Sequence, residues 1–452
     1  MIPLRHCLLL TLAASATGCF DDAKLRPYDA GDDLAPVDVP ITPADVPEDD
    51  GAAAVDGPDG SLDADLDADL DAALDATDDA VTADDLPRPD VPPGECPIDR
   101  VLVGTSDSTT AGGYALGRFV PTPSLVARTE SAPDYDHLVV QSGCVVYDLL
   151  RGADELAVLD PLALPTVARR ISLRSAMGST ERYQANPSAV LTLSPQVAYV
   201  ALYNAPRVAV VDPTMSGPDA VRRVINLAPL RSPMDRDANG ALEAAAIVRA
   251  GRNVFVALQN LNGGMPVTNG TLAVLDPTGD VLLDTEPGTT EIDPVRLTGR
   301  NPTGMRLTPG GRLVVAEPGA PGPQASDGIE VVDPVSFAAR GIRVTEAQLG
   351  GDVGDFIMLD DARGWVVVRQ SGTSSRVVEF DLDAADGMRA GRTIMSSGSI
   401  GALARDPSGN VWVLDRSAGR AGARVFNTMG TELTMMPLAA GTQSPTSVAF
   451  VP

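Results

Sequence analysis

Beyond residue 95 the chain alternates between short apolar runs, rich in β-branched residues, and clusters of Gly, Pro, Asn and Asp. The runs VAYVALY (197 to 203), NVFVALQ (253 to 259), RLVVAE (312 to 317), GWVVVRQ (364 to 370) and NVWVLD (410 to 415) carry no helical period and are bounded by turn residues. This pattern predicts strands joined by tight turns. A second run closes each unit: DELAVLDP (154 to 161), PRVAVVDP (206 to 213), GTLAVLDP (270 to 277), DGIEVVDP (327 to 334), SRVVEFDL (375 to 382) and the shorter ARVFNT (423 to 428). The Asp or Asn ending it falls at 160, 212, 276, 333, 381 and 427, in steps of 52, 64, 57, 48 and 46. Such a period is the signature of a repeat architecture.

Each repeat has the same grammar. A turn or weaker strand comes first, as in NPSAVLTLSP, NPTGMRLTPGG and GALARDPSG, and a fourth run such as RRVINL (222 to 227) comes last. Four antiparallel strands per repeat make one blade of a β-propeller. At the ends, SPTSVAFVP (444 to 452) reads as a first strand, while DRVLVGTSD (99 to 107) and YALGRFV (114 to 120) read as a second and third. One blade is therefore shared by both termini, which closes the ring and hides its edges. The expected fold is all-β, a seven-bladed β-propeller of four-stranded antiparallel blades closed by N- and C-terminal strands in one blade.

In this frame DGIEVVDP is stitching. Gly328 eases entry from the turn, Ile329, Val331 and Val332 supply apolar faces, Asp333 accepts hydrogen bonds from turn amides, and Pro334 ends the pairing. Chemistry seldom requires one residue six times in a pseudo-symmetric fold. The repeat, with its Pro-containing turn, a strand like VAYVALY and a strand ending Val-Val-Asp-Pro, resembles the YVTN-type seven-bladed β-propellers common in exported bacterial proteins. That resemblance covers nearly all of residues 96 to 452 and implies fold and export, leaving function open. Long insertions after residues 160 and 212 depart from it.

The N-terminus agrees with export. MIPLRHCLLLTLAASATGC has a basic start at Arg5, an apolar run from Cys7 to Ala16 and small residues before Cys19, the layout of a secretory signal peptide. The run is too short to span a bilayer, which needs about 20 apolar residues. Ala16-Thr17-Gly18-Cys19 resembles the bacterial lipobox, with Ala16 where Leu is usual, and implies that Cys19 carries lipid as the first mature residue. Phe20 then stands where an aspartate would signal inner-membrane retention, so an outer-membrane lipoprotein facing periplasm or cell surface is expected.

Charge divides what remains. Residues 20 to 95 hold 24 acidic side chains against three basic ones, in segments such as DGPDGSLDADLDADLDAALDATDDA. Such composition cannot offset the entropy of ordering and is read as a disordered acidic spacer, reaching at least ~45 Å. The expected domains are a signal peptide over 1 to 19, the spacer over 20 to 95 and the propeller over 96 to 452. The spacer supplies most of the net charge of −27, and the propeller, with 37 acidic and 30 basic residues, is only mildly acidic. No basic footprint for nucleic acid is present.

Candidate chemistry is sparse. With Cys7 in the signal and Cys19 lipidated, Cys96 and Cys144 remain as one pair and are expected to form a disulfide in an oxidising compartment. In the insertion after residue 212, PMDRDANGALEAA places Asp235, Asp237, Asn239 and Glu243 at positions 1, 3, 5 and 9 of a loop, with Gly240 turning it and the Ala241 carbonyl filling position 7. Hard cations want six to eight oxygens, so Ca2+ is the expected ligand, or else the stretch is an Asx-rich turn satisfying its own amides. An EF-hand would need Glu at position 12, where Ala246 stands; the spacing resembles the nine-residue calcium loops of integrin-type propellers. Only His6 and His137 exist, so multi-His metal sites are excluded, and His137, in YDHLVVQSG, reads as a core or channel-lining residue of an inner strand. No nucleophile elbow or phosphate-binding loop is present. The expected role is a lipid-anchored, non-catalytic binding or scaffold module, monomeric, for an envelope protein or polysaccharide. The alternatives are an exported propeller enzyme of lactonase or hydrolase type and an accessory subunit of a periplasmic redox enzyme.

Overall fold

The computed structural model describes residues 98–178, 184–231, 240–370 and 374–451. Strands β1 (Arg100–Ser106), β2 (Gly112–Arg118) and β3 (Ser124–Ala132) open the chain. The next blade is β4 (His137–Ser142), β5 (Val145–Leu150), β6 (Glu155–Leu159) and β7 (Val167–Ser172), followed by β8 (Pro187–Ser194), β9 (Val197–Leu202), β10 (Arg207–Val211) and β11 (Val221–Asn226). A fourth blade contains β12 (Ala244–Ala250), β13 (Asn253–Leu258), β16 (Thr271–Asp276) and β17 (Val281–Leu283). A small hairpin, β14 (Leu261–Asn262) with β15 (Met265–Pro266), sits inside it, and β18 (Val295–Arg296) pairs with β16. Two further blades are β19 (Gly304–Leu307), β20 (Leu313–Glu317), β21 (Gly328–Asp333), β22 (Ala338–Thr345), and then β23 (Asp352–Met358), β24 (Arg363–Arg369), β25 (Ser375–Asp381), β26 (Ala390–Ser397). The last repeat has β27 (Ile400–Arg405), β28 (Val411–Asp415) and β29 (Gly422–Phe426), and the chain ends in β30 (Ser444–Val451).

All ladders between these strands are antiparallel, and β30 pairs with β1 from Arg100↔Val451 to Ser106↔Ser444, giving the sheet order β3-β2-β1-β30. The blade shared by both termini is thus present as the sequence pattern predicts, and the ring has seven blades. In the last repeat the fourth position is filled by a strap that meets β29 through two isolated bridges, Ala423↔Leu438 and Phe426↔Glu432.

The apolar residues form seven clusters, each lying between one blade and the next. Val314, Ala316, Ile329 and Val331 pack toward Val366, Val368 and Phe380, whereas Leu313, Val315 and Val332 pack the other way, toward Phe255 and Val274. This explains why the middle strands read as unbroken apolar runs: successive side chains serve opposite neighbours, and both faces are dry. Each fully buried Val or Leu contributes roughly 1.5–3 kcal/mol.

The closing Asp behaves alike in every repeat. The side chains of Asp160, Asp212, Asp276, Asp333, Asp381 and Asn427 each accept a hydrogen bond from the backbone N–H two residues on, at 2.8 to 3.0 Å. These are Asx turns, which spare the chain an unpaired amide as it reverses.

Candidate functional site

In each blade the inner strand begins where the chain arrives from the preceding blade, and antiparallel pairing brings the loop between second and third strands to the same end of the ring. Polar residues at these two places form the mouth of the central channel. Most of them tie blades together. Arg151 donates from Nε to Asn186 Oδ1 at 2.8 Å and lies 3.3 Å from Asp136. Tyr203 donates its hydroxyl to Gln259 Oε1 at 2.8 Å, and Arg300 pairs with Asp327 at 2.5 Å. Arg416 donates to the Pro445 carbonyl at 2.8 Å. Asn186 and Asn301, each before a proline, enter their blades with φ of 49° and 57°, a left-handed backbone that Asn tolerates better than branched residues.

One position breaks the pattern. The last residues of the seven second strands are Ser106, Leu150, Leu202, Leu258, Glu317, Arg369 and Asp415; six are buried and Arg369 alone is exposed. Among the described residues it makes no ion pair or hydrogen bond. A Cβ on Gly354 of the inner strand would stand 3.4 Å from Arg369 Nε, so the missing side chain there gives the guanidinium room over β23. Asp352 is its direct cross-strand partner, half-buried, with its two oxygens 3.0 and 3.2 Å from the Gly322 N–H. A carboxylate and an uncommitted guanidinium thus share one register position at the mouth. A carboxylate can take a proton from water, and guanidinium N–H groups can stabilise an oxyanion. Below the mouth, Arg306 of β19 pairs with Asp355 of β23 at 3.0 Å.

The adjoining blade buries acids. Glu330 accepts from Thr298 N–H at 2.7 Å, from its hydroxyl at 2.8 Å and from Gly341 N–H at 3.0 Å. Glu317 is fully buried beside it, and burial, then the neighbouring Glu330, push its carboxyl well above the ordinary range. Both Glu317 carboxyl oxygens are buried without a hydrogen-bond partner, an environment that favours the neutral acid. Glu346, in the first turn of helix α1 (Glu346–Leu349), is pushed up to about 8 by burial despite accepting from Val353 and Gln324 N–H.

His137 is 1% exposed, at the start of β4, and is a core residue. Its Nδ1 lies 2.9 Å from Asp148 Oδ1 and its Nε2 3.0 Å from the Thr105 carbonyl, while Tyr114 donates to Asp148 Oδ2 at 2.5 Å. Both nitrogens face acceptors, an arrangement that favours the doubly protonated ring, and the hydrogen bond and charge of Asp148 raise its pKa against the opposing effect of burial.

Of the calcium-loop residues, Asp235, Asp237 and Asn239 lie outside the described residues. Ala241 is buried, and Glu243, with φ 44° directly before β12, accepts from Leu261 N–H at 2.8 Å. Among the described residues no group of three His, Cys, Asp or Glu is placed to hold a metal ion. Cys144 is exposed at the tip of the β4–β5 hairpin; Cys96 and Cys19 lie outside the described residues. Asp352 and Arg369 were not among the sequence candidates. The signal for them is Arg369, the next-to-last residue of GWVVVRQ, where the parallel runs carry Leu202, Leu258, Glu317 and Asp415, together with the glycines of GGDVGD that face it.

A scan against protein-family models finds no match, and a search of curated proteins finds no relative. Solved structures do resemble the chain. The periplasmic gluconolactonase PpgL of Pseudomonas aeruginosa aligns with a TM-score of 0.53 at 16% identity, over 78% of this chain and 99% of that one. Two proteins provisionally assigned as 6-phosphogluconolactonases, from Bacteroides fragilis and Bacteroides uniformis, align with TM-scores of 0.53 and 0.52 at 14% and 12% identity, again over 78% of this chain and 98% and 99% of theirs. At these identities the likeness is one of fold.

Proposed function

We propose that the chain is an exported hydrolase of lactones that works at the mouth of its channel, in place of the non-catalytic binding role that the sequence alone favours. The observation that carries the reading is the exposed Arg369 set opposite Asp352, the one guanidinium at the seven equivalent positions. The likeness to a periplasmic gluconolactonase along the whole length of that protein supports the same class. In this reading Asp352 takes a proton from water as its oxygen attacks the lactone carbonyl. Arg369 donates hydrogen bonds to the oxyanion that forms. Collapse then breaks the ring C–O bond, and the proton passes to the leaving alkoxide, giving the open hydroxy acid.

Export places this reaction in the envelope, and a lipid on Cys19 would hold it at the outer membrane through the acidic spacer. The test is hydrolysis of glucono-lactone by the purified mature chain, followed by pH-stat above the spontaneous rate. Arg369→Ala is expected to lower kcat/KM about 10²–10³-fold and Asp352→Asn about 10²–10⁴-fold, with melting temperatures unchanged. No acceleration by the intact chain, across neutral and phosphorylated sugar lactones, would return the protein to the class of binding modules.

A further inference from the structure

The inner strands line the channel, and one level of them can be compared around the whole ring. The residues paired with the position three before the end of each second strand are Val448, Val140, Leu191, Val248, Arg306, Phe356 and Ala404. Arg306 alone among them is charged, and the others are apolar. Its partner Asp355 sits where the β23 ladder slips: Val353 faces Val368 and Phe356 faces Val366, so two residues oppose one. Such bulges re-aim a side chain and are over-represented next to active sites.

A purely structural ion pair closes on itself, and this one stays open. The side chains of Arg306 and Asp355 are 42% and 24% exposed. Arg306 gives Nη1 to the Met305 carbonyl at 2.9 Å and Nη2 to Asp355 Oδ1 at 3.0 Å, so among the described residues its Nε–H and one hydrogen on each terminal nitrogen are not engaged. Asp355 Oδ1 also accepts from the Phe356 N–H at 2.9 Å, whereas Oδ2 accepts from the Leu403 N–H at 2.9 Å and keeps a lone pair. The guanidinium carbon lies 5.7 Å from the centre of the Phe356 ring, which steadies it. Donors and an acceptor therefore stand side by side in an otherwise apolar level of the channel.

A hydroxyl both donates and accepts, so neighbouring hydroxyls fit this pair. An anionic group does not, because Arg306 is already neutralised and the Asp355 carboxylate stands against added negative charge. Asp355 follows Asp352 by three residues on β23, at most about 10 Å along the strand. A lactone with its carbonyl at Arg369 thus turns its far side toward the pair. Resting on the lactone-hydrolase reading, we propose that Arg306 and Asp355 are the subsite that reads the substrate's hydroxyls, selecting neutral polyhydroxylated lactones over phosphorylated and unhydroxylated ones.

The experiment compares glucono-lactone, its 6-phosphate and δ-valerolactone, a ring without hydroxyls, on the full mature chain. The native chain is expected to favour glucono-lactone over either of the others by roughly 10²-fold in kcat/KM, since hydrogen-bonding groups left unpaired penalise the wrong substrate. Arg306→Gln should lower kcat/KM for glucono-lactone about tenfold more than for δ-valerolactone. Asp355→Asn removes the opposing charge and keeps an acceptor for the Leu403 N–H. It should raise the phosphorylated-to-neutral ratio about tenfold, a gain that misfolding cannot produce. Binding is read separately by saturation-transfer NMR with glucitol, an open polyol with no lactone to hydrolyse, whose signal should fall about fivefold in Arg306→Gln. Native substrate ratios in both variants, no glucitol signal from the native chain, or a signal that Arg306→Gln leaves intact would overturn the proposal. A chain that holds glucitol through Arg306 yet hydrolyses no lactone would sink the hydrolase reading and keep the subsite.

Discussion

His137 shows how one buried residue fastens the ring. Burial alone would lower its pKa, but the hydrogen bond and charge of Asp148, with the Thr105 carbonyl, outweigh this and leave it raised. Thr105 and Tyr114 belong to the blade shared by the termini, and His137 and Asp148 to the next, so the cluster crosses the seam beside the ring closure. A raised histidine pKa contributes stability that is complete below the unfolded value of about 6.5 and is lost as pH rises through the folded value. Urea denaturation should therefore show a decline above pH 6.5 that His137→Gln removes. That variant should also cost about 3–5 kcal/mol at pH 6, because it leaves Asp148 buried without its cation. An unaltered pH profile in the variant would mean that His137 is neutral in the fold. The sequence placed His137 on an inner strand, but its partners were not legible: Asp148 stands across a hairpin, and Thr105 and Tyr114 arrive only once the ring closes.

At the scale of the element, the repeated phrase was legible because local chemistry decides it. An Asp or Asn at a strand end can satisfy the next turn without help from distant residues, and one does so in each of the six repeats, Asp in five and Asn427 in the last. Glu330, inside the same phrase, was not, since its acceptors are served by Thr298 and Gly341 of flanking segments and its neighbour Glu317 is on another strand. Glu317 gives this blade a pH dependence of definite sign. An acid whose folded pKa is raised binds more protons in the native state than in the unfolded chain, so stability falls as pH climbs from about 4.5 toward the raised value. One such group contributes a slope of up to about 1.4 kcal/mol per pH unit within that window. Glu346, pushed up to about 8, acts in the same direction. Replacing Glu317 by Gln keeps the shape and removes the ionisable group, and should flatten part of the decline between pH 5 and 8 in chemical denaturation. A slope identical to that of the native chain would show that Glu317 ionises freely. This window opens about two pH units below that of His137, so the two contributions can be separated.

Across the whole molecule, stability rests on closure. Each of the seven apolar clusters needs two blades, so no blade holds a complete core, and the ring is only as cooperative as its seam. That seam was legible in the sequence because the two terminal segments are strands of one repeat cut apart: SPTSVAFVP supplies the inner strand that DRVLVGTSD lacks. The channel mouth was less legible, because Arg369 is distinguished by exposure, which a run of apolar residues does not reveal. β30 carries the closure physically. Phe450 packs edge-on against Phe119 and Trp412 at 5.6 and 5.9 Å between ring centres, and Ser447 accepts from the Val139 N–H of the next blade. Deleting residues 444 to 452 would uncover Val101, Val103 and Trp412 and leave the backbone of β1 as an open edge. The truncated chain is expected to lose its cooperative melt and to aggregate, since an unpaired apolar edge templates pairing with other chains. Val451→Ser, which keeps the strand but removes one buried side chain, should instead melt cooperatively with a loss of about 1–3 kcal/mol. Differential scanning calorimetry of the three chains distinguishes these outcomes, and a cooperative transition in the truncated chain would show that six complete blades suffice without the seam.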